Sequence, residues 1–159
     1  DCIDLNKLDS KELYSSEVDN LSSIISSKKQ LRNKLITLQR NFPKKYGKSG
    51  KFTIIEGRDI GTVIFPNADY KIFLWADAEI RAKRRYMQIK KNGKKSSFRR
   101  IFMEINARDR KDLTRKIAPL MPAANSVLLD TSYIDIEQAF NAIKVNILKI
   151  KIYESRVYK

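Results

Sequence analysis

Three short apolar runs constrain this chain more than any other feature of it. Phe52–Glu56 (FTIIE) stops at Gly57, Lys71–Trp75 (KIFLW) runs into Ala76-Asp77, and Ser126–Leu129 (SVLL) runs into Asp130-Thr131. Each reads as a brief buried strand bounded by a turn signal. Helical periodicity fills the intervals. Val18, Leu21, Ile24 and Ile25 recur at helical spacing, and Leu31, Leu35, Leu38 and Phe42 form an amphipathic stripe that Pro43 should end or nearly end. One further helix starts near Asp77 with Ile80 and Met87, and another carries Phe98, Ile101, Phe102 and Ile105. The last carries Ile136, Phe140, Ile143, Ile147 and Ile150. Strands alternating with helices predict an α/β chain with a parallel sheet covered on both faces. In such sheets ligands sit beyond the carboxyl ends of the strands. Here those ends are Glu56-Gly57-Arg58-Asp59, Ala76-Asp77 and Asp130-Thr131-Ser132.

Composition narrows the chemistry. The 159 residues contain one cysteine, Cys2, and no histidine. An internal disulfide, a His-based triad and a His or Cys zinc site are thereby excluded. No run approaches the roughly 18 apolar residues of a membrane span. The chain opens Asp1-Cys2-Ile3 without a visible signal peptide, which suggests a processed chain or a piece of something longer. Lys and Arg outnumber Asp and Glu by 33 to 18, a net charge of +15 that favours anionic partners. Lysine excess alone is compatible with compositional drift. The arginines are more telling, since eight of the twelve lie between Arg81 and Arg115.

Three constellations can carry chemistry. In Glu56-Gly57-Arg58-Asp59-Ile60-Gly61-Thr62 a strand-end carboxylate suits a metal-bound water and Arg58 suits a phosphate, with Gly61 allowing a ligand to approach closely. The bland alternative is a βα turn with a surface ion pair. Arg81–Arg100 holds ten basic and no acidic residues, with a turn at Asn92-Gly93. It is either a solvated face or a helix, loop and helix that close over polyphosphate or meet nucleic acid. In Arg108–Arg115, Arg108, Asp112 and Arg115 share one helical face, where an acid between two guanidiniums can orient both toward a phosphoryl group. Plain i,i+4 ion pairs are the modest alternative, at about 0.2–0.5 kcal/mol each. Gly47-Lys48-Ser49 imitates the end of a phosphate-binding P-loop, but the first glycine of that motif is replaced by Phe42 and the segment follows a helix. Trp75 ends an apolar strand and is expected in the core. No aromatic pattern suited to stacking RNA bases is present.

Taken in order, GRDIGTVIFP (57–66), KIFL (71–74) with RAKRR (81–85), and RDRKDLTR (108–115) with Ala118-Pro119-Leu120 resemble bacterial cytidylate (CMP/dCMP) kinase. The resemblance covers nearly the whole chain. It implies a three-layer parallel sheet of the P-loop NMP-kinase type with the N-terminal strand and P-loop missing. It also implies a cytoplasmic enzyme that moves the γ-phosphoryl group of ATP, with Mg2+, to CMP or dCMP. By resemblance, Arg58 holds the CMP phosphate and Asp59 lies near the cytosine amino group. Arg108 and Asp112 contact CMP phosphate and ribose, and Arg115 lies between the two nucleotides' phosphates. Ser23 and Arg32 read the base, Arg81, Arg84 and Arg85 belong to a lid over the ATP phosphates, and Glu56 faces the metal. Asp130–Ser132 falls where the family places adenine. The implied organisation is 1–30 as the remainder of the NMP-binding insert, 31–80 as core, 81–116 as arginine-rich lid with flanking helices, and 117–159 as core. Without the P-loop lysine and its cradle, little or no activity is expected of the chain alone, and the missing N-terminal segment becomes an expected partner. The competing expectation is a basic module that binds nucleic acid, or a nucleotide-binding remnant without catalysis.

Overall fold

The computed structural model describes residues 18, 21, 22, 24, 25, 28–46 and 53–157. The chain divides into two compact units, one through Ile54 and one from Ile55 onward.

In the first unit, α1 spans Lys29–Tyr46. The expected stripe of Leu31, Leu35, Leu38 and Phe42 lies on this helix, and all four remain more than a third exposed. Pro43 does not end it, and the helix continues for three residues. A proline lacks the N–H that would bond four residues back, so the Gln39 carbonyl loses its donor while the last turn persists.

The second unit is built on two parallel strands, β1 (Ile72–Trp75) and β2 (Val127–Asp130), with Ile72 opposite Val127 and Trp75 opposite Asp130. Between them run α2 (Ala78–Lys91) and α3 (Phe98–Thr114), and after them α4 (Ile136–Val157). A parallel connection needs a crossover, and the α2–α3 hairpin supplies it. Ala82 on α2 and Ile101 on α3 are the buried apolar residues of the hairpin. Near its turn, Phe98 meets Tyr86 edge-on at 6.4 Å and stacks on Phe102 at 6.2 Å. Gly93 makes the turn at φ 71°, a left-handed conformation that glycine adopts without steric cost.

Two expectations are corrected. Residues 53–56 of FTIIE are not a strand, and Ile54 is 94% exposed. Strand composition is a property of one segment, but a strand exists only through a ladder, and the ladder among the described residues joins β1 to β2 alone. The sheet therefore shows two strands where three apolar runs suggested three. Trp75 is 46% exposed and Leu74 55%, so this end of β1 is not core. A parallel strand is ordinarily covered on both faces, and each such side chain would contribute about 1.5–3 kcal/mol if fully buried.

Candidate functional site

The loop after residue 56 leads into a π-helical turn, Ile60–Ile64, anchored by the buried Ile64. The Asp59 carbonyl accepts from the Val63 and Ile64 amides, which fixes the loop that carries Arg58. Gly61 allows a close approach, but by the chain itself. A Cβ there would stand 3.1 Å from the Ala123 Cβ and 3.4 Å from the Lys71 side chain. The expected approach of a ligand at Gly61 is replaced by packing of the turn on 123.

Asp112 is the centre of the site. It lies in the last turn of α3 and is buried. The chain folds back beyond the helix, and the Leu120 amide donates 2.8 Å to the Asp112 carbonyl. Arg115 Nε donates to the carbonyl of Ala118, a residue held at φ 50°. This return of the Ala118-Pro119-Leu120 segment encloses the helix end. Two guanidiniums converge on the carboxylate: Arg58 Nε lies 3.4 Å from Oδ2 and Arg115 Nη1 lies 3.9 Å from Oδ1. The Arg115 side chain is 15% exposed and that of Arg58 41%. Asp112 Oδ2 and Arg115 Nη2 are buried with no hydrogen-bond partner. Buried polar atoms in native structures almost always have one. Oδ2 is held only by the Arg58 ion pair, and the cluster of one acid and two guanidiniums suits a ligand that offers both a hydroxyl and an anionic oxygen. Arg115 stands three residues after Asp112 and pairs with it, and a second cation on this acid is Arg58, from 54 residues upstream, where the spacing suggests Arg108.

A second polar cluster closes the carboxyl ends of the strands. The buried Ser132 accepts 3.0 Å from the Asp77 amide, and its own amide donates 2.8 Å to Asp130 Oδ1. These Ser132 hydrogen bonds, side chain first and backbone second, hold the Asp130 carboxyl below its ordinary range. Arg84 Nη2 donates to the carbonyls of Thr131 and, at 3.1 Å, Ile134. Arg84 thus stands on the loop that the resemblance assigns to adenine.

The other expected site residues fall as follows. Arg81 makes a two-pronged pair with Asp109, at 3.1 and 2.6 Å, and a third bond of 2.8 Å to the Ala76 carbonyl. Arg85 donates 3.0 Å to Gln88 on the exposed face of α2. Arg108 lies on α3 in the turn before Asp112, and Asp59 caps the π-helical turn. Glu56 is exposed, and the described residues contain no group of three carboxylates or thiols that could hold a metal ion by themselves. Arg32 is buried on α1 in the first unit. Ser23 lies outside the described residues. Sequence reasoning gave no role to Asp109. Its signal was present, since Asp109 and Asp112 stand at i,i+3, but its partner is 28 residues away.

Comparison with known proteins decides the lineage. The family model for cytidylate kinase matches residues 3–149. The chain belongs to the cytidylate kinase family. Its relatives include the cytidylate kinase of Bartonella tribocorum, 41% identical over 138 residues, which are 87% of this chain and 62% of that protein. The cytidylate kinase of Salmonella choleraesuis is 43% identical over 129 residues, 81% of this chain and 55% of the relative. Cytidylate kinase 1 of Haemophilus influenzae is 40% identical over 132 residues, 83% and 55% of the two chains. The chain thus spans about three fifths of the length of the curated relatives it matches. Membership in the cytidylate kinase family implies the P-loop NMP-kinase fold, of which the β1–β2 sheet and its helices form part. No described helix is long and apolar enough to cross a membrane.

Proposed function

We propose that this chain supplies the acceptor side of a phosphoryl transfer from ATP to CMP or dCMP, giving CDP or dCDP and ADP. The observation that carries the reading is the buried Asp112 between Arg58 and Arg115, with the Arg58 guanidinium as the part of the cluster open to solvent. A nucleoside monophosphate offers the complement: sugar hydroxyls for the acid and phosphate oxygens for the guanidiniums. Arg108, in the preceding turn of α3, adds a further cation for phosphate, and Asp59 is assigned to the cytosine amino group. Arg32 and Ser23 are assigned to base reading. Arg84 and Arg85 remain candidates for ATP, Arg84 through the Thr131–Ile134 loop.

In the reaction an oxygen of the CMP phosphate attacks the γ-phosphorus of ATP. The new P–O bond forms as the bond to the bridging β–γ oxygen breaks, and ADP leaves with that electron pair. Mg2+ enters with ATP as part of the substrate and neutralises phosphate charge. The acceptor is already an anionic oxygen, so no strong general base is required, and a chain without histidine suits the step. Its charge spreads over equatorial oxygens, so catalysis is positioning and electrostatic stabilisation by converging arginines. The 159 residues contain no G-x-x-x-x-G-K-[ST] sequence. We therefore assign the β- and γ-phosphate cradle to the part of the relatives' length that this chain does not span. A nucleic-acid-binding role would rest on the +15 charge and the basic run Arg81–Arg100, without an aromatic pattern for stacking bases.

A coupled ADP-release assay with CMP and Mg-ATP tests the reading. The chain alone should give little or no turnover, and addition of a relative's P-loop segment in trans should restore it. Clear turnover by the chain alone would overturn the assignment of the cradle. Absence of turnover in both, with CMP unbound, would overturn the function.

A further inference from the structure

We infer that Arg81 and Asp109 form a positioning pair that sets the α3 face for CMP, so that Arg81 is not a ligand of ATP phosphates. This inference rests on the acceptor-site reading above. Three of the five N–H donors of the Arg81 guanidinium are engaged inside the protein. Nη1 and Nη2 meet the two carboxylate oxygens of Asp109 in parallel, and Nε holds the carbonyl of Ala76, itself buried at the end of β1. One side chain at the start of α2 therefore ties the end of the strand to the last third of α3.

What it ties down is the site. Asp109 follows Arg108 directly and stands one helical turn before Asp112, so a rotation or slide of α3 that moved Asp109 would move both. The aromatic contacts of Tyr86, Phe98 and Phe102 hold the opposite end of the hairpin. They cannot fix the helix relative to β1, because none of them is on the strand. The Arg81 fork is planar and two-pronged, so it restrains rotation as well as distance, which a lysine point charge would not do. Turning Arg81 toward ATP would break three hydrogen bonds and leave the half-buried Asp109 carboxylate without its partner.

The test is a double-mutant cycle with Arg81→Met, Asp109→Asn and the double variant in the full chain, with Arg81→Lys as a conservative control. Unfolding midpoints and calorimetric dissociation constants for CMP are measured for each, and for ATP after addition of a relative's P-loop segment in trans. The pair predicts that each single variant weakens CMP by roughly tenfold and that the double variant is no worse than either single one. Arg81→Lys should recover only part of the loss, and ATP affinity should not change. Weakened ATP binding with CMP unaffected would overturn the inference and return Arg81 to the lid. Additive losses, in stability or in CMP affinity, would also overturn it. If the unaltered chain binds no CMP, the functional reading fails, and the unfolding cycle still decides whether the pair is energetically coupled.

Discussion

Asp112→Asn removes one charge and almost no volume, so its cost isolates the electrostatics of the site. In the folded chain the Asp112 carboxylate faces Arg58 at 3.4 Å and Arg115 at 3.9 Å. At an effective dielectric constant near 20, one such attraction at 4 Å is about 4 kcal/mol before desolvation is subtracted. Losing one partner of a fully buried pair costs about 3–5 kcal/mol, and an exposed pair is worth about 0–1 kcal/mol. The site lies between these limits, since the Arg115 side chain is 15% exposed and that of Arg58 is 41% exposed. The Arg58 contact must therefore be discounted for screening, and Arg115 keeps its bond to the Ala118 carbonyl. We expect a loss of about 2 kcal/mol, with two guanidiniums left facing each other. With a urea slope of about 2 kcal/mol/M, the midpoint should fall by about 1 M at unchanged slope. Trp75 provides a fluorescence probe at the end of β1. Addition of 1 M salt should narrow the gap only slightly, because the Arg115–Asp112 pair is largely enclosed and the screened Arg58 contact contributes little of it. A midpoint shift under about 0.2 M would refute the argument that Asp112 is the electrostatic keystone of this helix end.

Other perturbations give separate checks. Gly61→Ala should be tolerated at a cost under about 1 kcal/mol, whereas Gly61→Val should cost about 1–3 kcal/mol, because its Cβ already meets Ala123 at 3.1 Å; equal stability of both variants, measured by thermal unfolding, would show that the turn does not pack on 123. The Asp130 carboxyl is held below its ordinary value of 3.8, so its small contribution to stability is present above that pH and disappears as pH falls through the depressed folded value. Ser132→Ala should return the carboxyl toward 3.8, as followed by carbon-detected NMR titration, and no change would mean that Ser132 does not set it. Phe98→Ala should loosen the α2–α3 hairpin by about 2–3 kcal/mol through loss of its contacts with Tyr86 and Phe102, and wild-type amide exchange rates in 86–102 would contradict this.

The helices were legible because their periodicity is local. Ile136, Phe140, Ile143 and Ile147 specify α4 without reference to the rest of the chain, and Asn92-Gly93 specifies the break between α2 and α3. The strands were legible only where a partner exists. Lys71–Trp75 and Ser126–Leu129 pair with each other, while the described residues 53–56 of the equally strand-like FTIIE join no ladder. Nothing in its composition states which neighbour it needs. The same limit explains Trp75, whose burial depends on what covers the end of β1. In the site, spacing placed Asp112 and Arg115 on one face, because both lie within two helical turns. Arg58 and Arg81 reach their acids across 54 and 28 residues, distances at which no periodic rule applies. Gly61 showed the reverse error: glycine marks a close approach without saying what approaches.

Calorimetric titration of CMP into the full chain bears most directly on the central claim that Arg58, Asp112 and Arg115 form the acceptor-nucleotide site. The account predicts saturable one-to-one binding of CMP that weakens at least tenfold in Arg115→Met, with inorganic phosphate competing only weakly. Equal affinity in the unaltered chain and in Arg115→Met, or no binding of CMP at all, would contradict it.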